Sequence, residues 1–278
     1  MTASPEIAKS IKTGAFHTNV HDVGSGPPVV FIHGSGPGVT AWANWRLVLP
    51  ELSPKFRVIA PDMVGFGYTD RPEGFVYDND AWVRQAVDLL DALGVEKADF
   101  VGNSFGGAIS LALALKHPER VGKIVLMGAA GLKWPVSDGL AAVWGYQPSI
   151  EAMRKLLDIF AFDRSLVTDD LAKLRYEASI RPGFQESFST MFPKPYQHAL
   201  DALASDEGAL SRLPNETLIF HGREDLVVPL DSSIRLHKLI PRSQLHVFGQ
   251  CGHWTQIERT ADFVRLTSDF LGNAGRTK

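Results

Sequence analysis

Three side chains far apart in the chain, Ser104, Asp225 and His253, each follow a short apolar run and lie close to glycine. A serine hydroxyl is a weak nucleophile at neutral pH and needs an oriented base. Ser104 is the centre of Gly102-Asn103-Ser104-Phe105-Gly106, a G-x-S-x-G pentapeptide, between strand-like Asp99-Phe100-Val101 and a helical pattern ending near His117-Pro118. A tight turn there strains the serine and tolerates only small neighbours. It also aims the hydroxyl away from the strand end, beside a helix N-terminus that favours developing negative charge. His253, in Gly249-Gln250-Cys251-Gly252-His253, could take the serine proton and return it. Asp225, in His221-Gly222-Arg223-Glu224-Asp225, could fix the imidazole tautomer and stabilise its cation.

Competing residues carry weaker cases. Glu224 is adjacent to Asp225 and ranks below it as the acid. Of the nine histidines, His33 and His221 also end strand-like runs before glycine, where a histidine is more often a hydrogen-bonded structural residue. His17 and His21 are four apart but in a strand-like segment without a carboxylate pattern, so no metal site is expected. The single cysteine, Cys251, excludes an intramolecular disulfide and a Cys-rich zinc site and reads as a packed free thiol. Trp144, Phe160 and Phe162 read equally as core or as pocket wall.

These residues need elements to hold them. Strand-like runs fall at residues 15–22, 28–32, 56–60, 99–101, 123–127, 217–220 and 245–248. Helical patterns fall at 42–52, from Asp80 to a stop at Gly94, at 105–117, 231–239 and 261–271. This alternation predicts an α/β fold with a mostly parallel central sheet flanked by helices. Residues 135–212 break it, with helical patterns only, Ser149 and Thr168 being placed to cap two helices. The expected organisation is a core of residues 1–134 and 213–278 carrying an all-helical cap, 135–212, over the carboxyl edge of the sheet, where open α/β folds bind ligands.

The 278 residues suffice for one large domain with such an insertion. A 45% hydrophobic and 21% charged composition is ordinary for a soluble protein, and a formal charge of −3 gives no case for nucleic acid or a membrane surface. The N-terminal segment lacks an apolar signal region and no run approaches 18 apolar residues, which leads us to expect a cytoplasmic protein.

The chain order Ser, Asp, His, with His33-Gly34-Ser35-Gly36-Pro37-Gly38, Gly102-Asn103-Ser104-Phe105-Gly106-Gly107, Gly222-Arg223-Glu224-Asp225 and Cys251-Gly252-His253-Trp254, resembles the α/β-hydrolases. Among them it is most similar to the meta-cleavage product hydrolases of bacterial aromatic-ring degradation. The resemblance implies hydrolysis of a carbon–carbon bond in 2-hydroxy-6-oxohexa-2,4-dienoates, giving 2-hydroxypenta-2,4-dienoate and a carboxylic acid. The dienol first becomes a keto form, and Ser104 or a water activated through His253 then attacks the C6 carbonyl. The same resemblance assigns the oxyanion hole to the main-chain N–H groups of Ser35 and Phe105, each such donor being worth about 3 kcal/mol in related catalysis. It assigns Asn44, Asn103, Arg181 and Trp254 to the dienoate end, Gly34 and Gly36 also to substrate binding, and Val227 and Val228 to the pocket wall. Arg181 fits the family reading because a guanidinium matches a carboxylate, although a solvated arginine at a helix end fits the residues equally well.

By resemblance the substrate of choice is 2-hydroxymuconate semialdehyde, with formate released, small alkyl ketones next and biphenyl-type substrates last. No metal and no organic cofactor is implied. Relatives of this kind often self-associate, but no residue fixes an oligomeric state. A carboxylesterase with the same triad and a low-turnover receptor on the same fold are the competing readings. Dehalogenases and epoxide hydrolases carry aspartate where Ser104 stands.

Overall fold

The computed structural model describes residues 4–273. Eight strands form one sheet: β1 (Lys9–Thr13), β2 (Phe16–Val23), β3 (Pro28–Ile32), β4 (Arg57–Pro61), β5 (Ala98–Asn103), β6 (Val121–Met127), β7 (Thr217–Gly222) and β8 (Ser243–Phe248). Their order is β1-β2-β4-β3-β5-β6-β7-β8; β1 with β2 and β2 with β4 run antiparallel, and the rest are parallel. The central strands are short apolar runs because both faces are covered. Along β3, Val30 and Ile32 enter one buried cluster and Val29 and Phe31 the other; along β6, Ile124 and Leu126 alternate with Val125 and Met127 in the same way. This is the two-residue period of a strand between two helical layers.

On the first face lie α3 (Asn79–Ala92), α4 (Phe105–Lys116) and α11 (Leu230–Leu239); on the second lie α1 (Ala41–Trp45), α2 (Leu49–Leu52) and α12 (Thr260–Gly272). In α4 every residue from Phe105 to Ala114 is buried, so it is the helix that the core closes around. The single helix expected over 42–52 is two short ones. Pro50 has no N–H to donate to the carbonyl of Arg46 and its ring would clash there, so the helix ends and restarts. The edge strand β1 was not expected, since its residues KSIKT are mostly exposed and have no apolar run.

Between β6 and β7 lie α5 (Asp138–Trp144), α6 (Ile150–Phe160), α7 (Asp169–Ser179), α8 (Phe184–Met191), α9 (Tyr196–Ala202) and α10 (Glu207–Leu210), with no strand among the described residues. The side chains of Ser149 and Thr168 accept the N–H groups of Ala152 and Leu171, starting α6 and α7. This helical layer is tied to the core below it. Trp144 Nε1 donates to Ser35 Oγ at 3.1 Å, and His253 N–H donates to Phe160 O at 2.8 Å. No helix among the described residues is long and apolar enough to cross a membrane.

Candidate active site

Ser104 joins β5 to α4 with φ 52° and ψ −112°, one of two non-glycine residues with positive φ among the described residues. Such a backbone costs on the order of 1–3 kcal/mol and needs surroundings that enforce it. Ser104 N–H donates to Met127 O at 2.9 Å, while Ser104 O accepts from Gly107 and Ala130 at 3.0 Å each. A Cβ on Gly106 would stand 2.2 Å from Ile32 O, so the turn can lie against β3 only with glycine there. The side chain is thereby turned out at the carboxyl end of the sheet.

His253 Nδ1 donates to Asp225 Oδ2 at 2.7 Å, and both side chains are almost completely buried. Asp225 Oδ1 accepts the N–H groups of Val227 and Val228 at 2.7 and 3.0 Å. Burial alone would raise the Asp225 pKa; His253, His221 and the Val228 N–H together outweigh it and hold the carboxyl below its ordinary value. A Cβ at Gly128 would fall 3.1 Å from both Asp225 Oδ2 and His253 Nδ1, so the close approach of this pair to β6 also requires glycine. Ser104 and His253 face one cavity. Their own hydrogen bond is absent among the described residues, a contact that in unliganded sites often tightens only with substrate.

The other polar residues near this pair have structural work. Glu224 accepts Cys251 N–H at 3.1 Å and Arg223 Nε at 2.9 Å, so it shapes the histidine loop. His221 is held between Ser233 Oγ at 2.7 Å and Val228 O at 3.0 Å. His33 Nδ1 donates to Gly34 O and its Nε2 accepts Met63 N–H; burial pushes it down to about 4, so it is neutral. The Cys251 thiol is pushed up to about 12, mainly by burial and then by Glu258. No cluster of His, Cys, Asp or Glu that could hold a metal ion occurs among the described residues.

The cavity encloses about 210 Å³ between the sheet edge and helices α5, α6 and α7. Gly34, Ser35, Gly36, Asn44, Asn103, Trp254 and Val227 all line it. The main-chain N–H groups of Ser35 and Phe105 make no hydrogen bond among the described residues. Asn44 Oδ1 accepts Gly34 N–H at 3.0 Å, which fixes the glycine loop beside Ser104. Phe160 stacks on Trp254 with ring centres 5.1 Å apart, so the aromatic doublet is wall as well as core. Trp144 is outside the lining and Phe162 is 43% exposed.

Two expected positions differ. Val228 does not line the cavity; it is buried, its N–H on Asp225 and its carbonyl on His221, so it braces the acid instead. Arg181 does not line it either. It lies beyond the end of α7, where Nη1 donates to Glu6 Oε2 at 2.5 Å and the guanidinium sits over the Tyr68 ring at 5.3 Å. The cap arginine that lines the cavity is Arg175, six residues earlier on α7, and Arg46 of the core lines it as well. Arg175 donates to Pro37 O at 3.2 Å and makes no ion pair among the described residues; burial pushes it down to about 10. The readable signal was helical: Arg175 lies three residues from Ala172 and Ala178 and four from Ser179, the buried residues of α7.

A family model described as the alpha/beta hydrolase fold matches residues 27–260. The chain is 62% identical over 271 residues to the 2-hydroxymuconate semialdehyde hydrolase of Pseudomonas sp. strain CF600, covering 98% of this chain and 96% of that one. It is 59% identical over 266 residues to the 2-hydroxy-6-oxo-2,4-heptadienoate hydrolase of Pseudomonas putida strain F1, covering 96% of each. A solved meta-cleavage product hydrolase from Pseudomonas fluorescens IP01, a serine-to-alanine variant complexed with acetates, superposes with a TM-score of 0.97 at 64% identity, over 98% of this chain and 100% of that one.

Proposed function

The chain belongs to the alpha/beta hydrolase family, and from that premise we propose that it is a meta-cleavage product hydrolase. It hydrolyses the C5–C6 bond of 2-hydroxy-6-oxohexa-2,4-dienoates to 2-hydroxypenta-2,4-dienoate and a carboxylic acid. The observation that carries this reading is one cavity lined by Ser104, His253 and Arg175 between apolar walls, with no ion pair on Arg175 among the described residues. Such a site has a nucleophile and base for a carbonyl and a cation for an acid.

Arg175 holds the substrate carboxylate, with Asn44, Asn103 and Trp254 along the diene. Once the dienol has become its 2-oxo tautomer by protonation at C5, Ser104 Oγ adds to C6 while His253 Nε2 takes its proton. The oxyanion is met by the N–H groups of Ser35 and Phe105, and Asp225 stabilises the imidazolium. The C5–C6 bond then breaks, its electron pair delocalising toward the 2-oxo group, and His253 returns a proton to the product. Water, deprotonated by His253, releases the acyl group from Ser104 as the acid. No step calls on a metal or an organic cofactor.

The cavity is smaller than the roughly 300–1,000 Å³ typical of drug-sized ligands. That favours a small C6 substituent, as do the relatives named for a semialdehyde and for a heptadienoate. We place 2-hydroxymuconate semialdehyde first, with formate as coproduct, in a cytoplasmic enzyme of aromatic catabolism built as a core with a helical cap over residues 135–212. The test is the decay of dienoate absorbance across substrates with hydrogen, methyl, isopropyl and phenyl on C6, with Ser104→Ala as control. The expected kcat/KM order falls from hydrogen to phenyl. Hydrolysis of p-nitrophenyl esters with every ring-fission acid untouched would end this reading in favour of an esterase.

A further inference from the structure

The cavity meets solvent along one side, where the lining includes Leu47, 42% exposed, and the partly exposed Ala43, Leu166, Leu171 and Ile257. The deeper lining, Leu140, Val143, Met153 and Val227, is buried. Two arginines, each half-buried, line the same cavity, Arg46 at the end of α1 beside Leu47 and Arg175 on α7. Neither makes an ion pair among the described residues. Each is anchored instead on a main-chain carbonyl, Arg46 Nη1 on Ala43 O at 2.7 Å and Arg175 Nη2 on Pro37 O at 3.2 Å. The carboxylate whose field reaches both is Glu6, and Glu6 is bound to Arg181. Three guanidiniums therefore share the field of one carboxylate, and among the described residues the two that line the cavity have no ion-pair partner, on a chain whose formal charge is −3.

We propose that Arg46 is an anion-capture residue at this mouth, drawing the carboxylate of a small unsaturated acid toward Arg175 while the apolar end enters first. This rests on the reading of the substrate as a dienoate and adds to it a residue and an order of entry. Partial burial lowers the local dielectric, so one guanidinium facing the path of an anion acts more strongly there than on an open surface. A cation in that position raises the association rate and affinity of anions, and its effect declines as salt shortens the screening length. Positioning the end of α1 through Ala43 O is the other role open to Arg46, and salt distinguishes the two. A helix-end hydrogen bond does not respond to ionic strength between 20 and 300 mM; capture of an anion does.

The experiment measures binding of hexa-2,4-dienoate, a diene acid with no cleavable ketone, and of its neutral alcohol, hexa-2,4-dien-1-ol. Calorimetry and stopped-flow are run at 20 and 300 mM NaCl on wild type, Arg46→Gln, Arg46→Lys and the remote Arg242→Gln, which removes the same charge from an exposed surface pair. Wild type and Arg242→Gln should bind the acid several-fold more weakly at high salt and the alcohol equally at both. Arg46→Gln should bind the acid about fivefold more weakly at 20 mM and lose most of the salt dependence, while Arg46→Lys keeps it. An unchanged salt slope in Arg46→Gln, or a lysine variant as weak and salt-insensitive as the glutamine one, overturns the proposal. Binding of the acid with the expected salt slope but without turnover of any ring-fission product would sink the C–C hydrolase reading and leave the capture residue standing.

Discussion

Exchanging the two cap arginines separately gives the sharpest test of the site. Arg175 lines the cavity without a carboxylate partner, and its only hydrogen bond among the described residues goes to Pro37 O. Arg175→Gln removes the charge, leaving a bound carboxylate desolvated and unpaired. Truncating one side of such a buried pair costs about 2–5 kcal/mol, or roughly 30-fold to several thousand-fold in kcat/KM. Arg181, in contrast, pairs with Glu6 at side-chain exposures of 29% and 14%. A partly exposed pair contributes up to about 1 kcal/mol, and it contributes that to stability. Arg181→Gln should therefore lower Tm by a few degrees and leave kcat/KM within about threefold. The assay is initial-rate decay of dienoate absorbance at 20 mM salt, with Tm measured on the same samples. A larger loss of kcat/KM in Arg181→Gln than in Arg175→Gln would refute the geometry, because it would mean that the residue outside the cavity holds the acid.

Three further outcomes follow from other parts of the molecule. Asp225→Asn should lower kcat about 10⁴-fold through the wrong imidazole tautomer, whereas Glu224→Gln, which loosens only the Cys251 loop, should cost less than tenfold; steady-state kinetics decide between them. His33, held neutral down to about 4 against about 6.5 unfolded, binds fewer protons folded than unfolded in that window, so acidification removes up to about 3 kcal/mol of stability between pH 6.5 and 4. Asp62, raised to about 6 by burial, works oppositely in the same window, so urea titrations should show His33→Gln gaining on wild type as pH falls, and parallel curves would contradict this. Cys251, buried with its thiol pushed up to about 12, should resist iodoacetamide at pH 8 in the folded protein and react once unfolded; ready labelling of the native enzyme would show that its loop opens.

What could be read from the chain depended on how local each signal was. Ser104 and Asp225 each follow a strand whose short run is buried on both faces, His253 follows the partly exposed edge strand β8, and all three are marked by glycine that a close backbone approach requires. Strand β1 carried no such mark, since an exposed edge has no second face to fill. Val227 and Val228 look identical in sequence and both give their N–H to Asp225, yet only Val227 faces the cavity, while Val228 is turned inward with its carbonyl on His221. The arginines show the same limit at a larger scale. Both lie near the end of α7, but Pro182 and Gly183 end the helical register before Arg181, while Arg175 still shares a face with Ala172, Ala178 and Ser179. A charged residue on the buried stripe of an amphipathic helix must meet a partner or a ligand, since leaving it desolvated and alone is costly. With Glu6 bound to Arg181, none of the described carboxylates pairs with Arg175, and a carboxylate brought in by the substrate is the partner that resolves it.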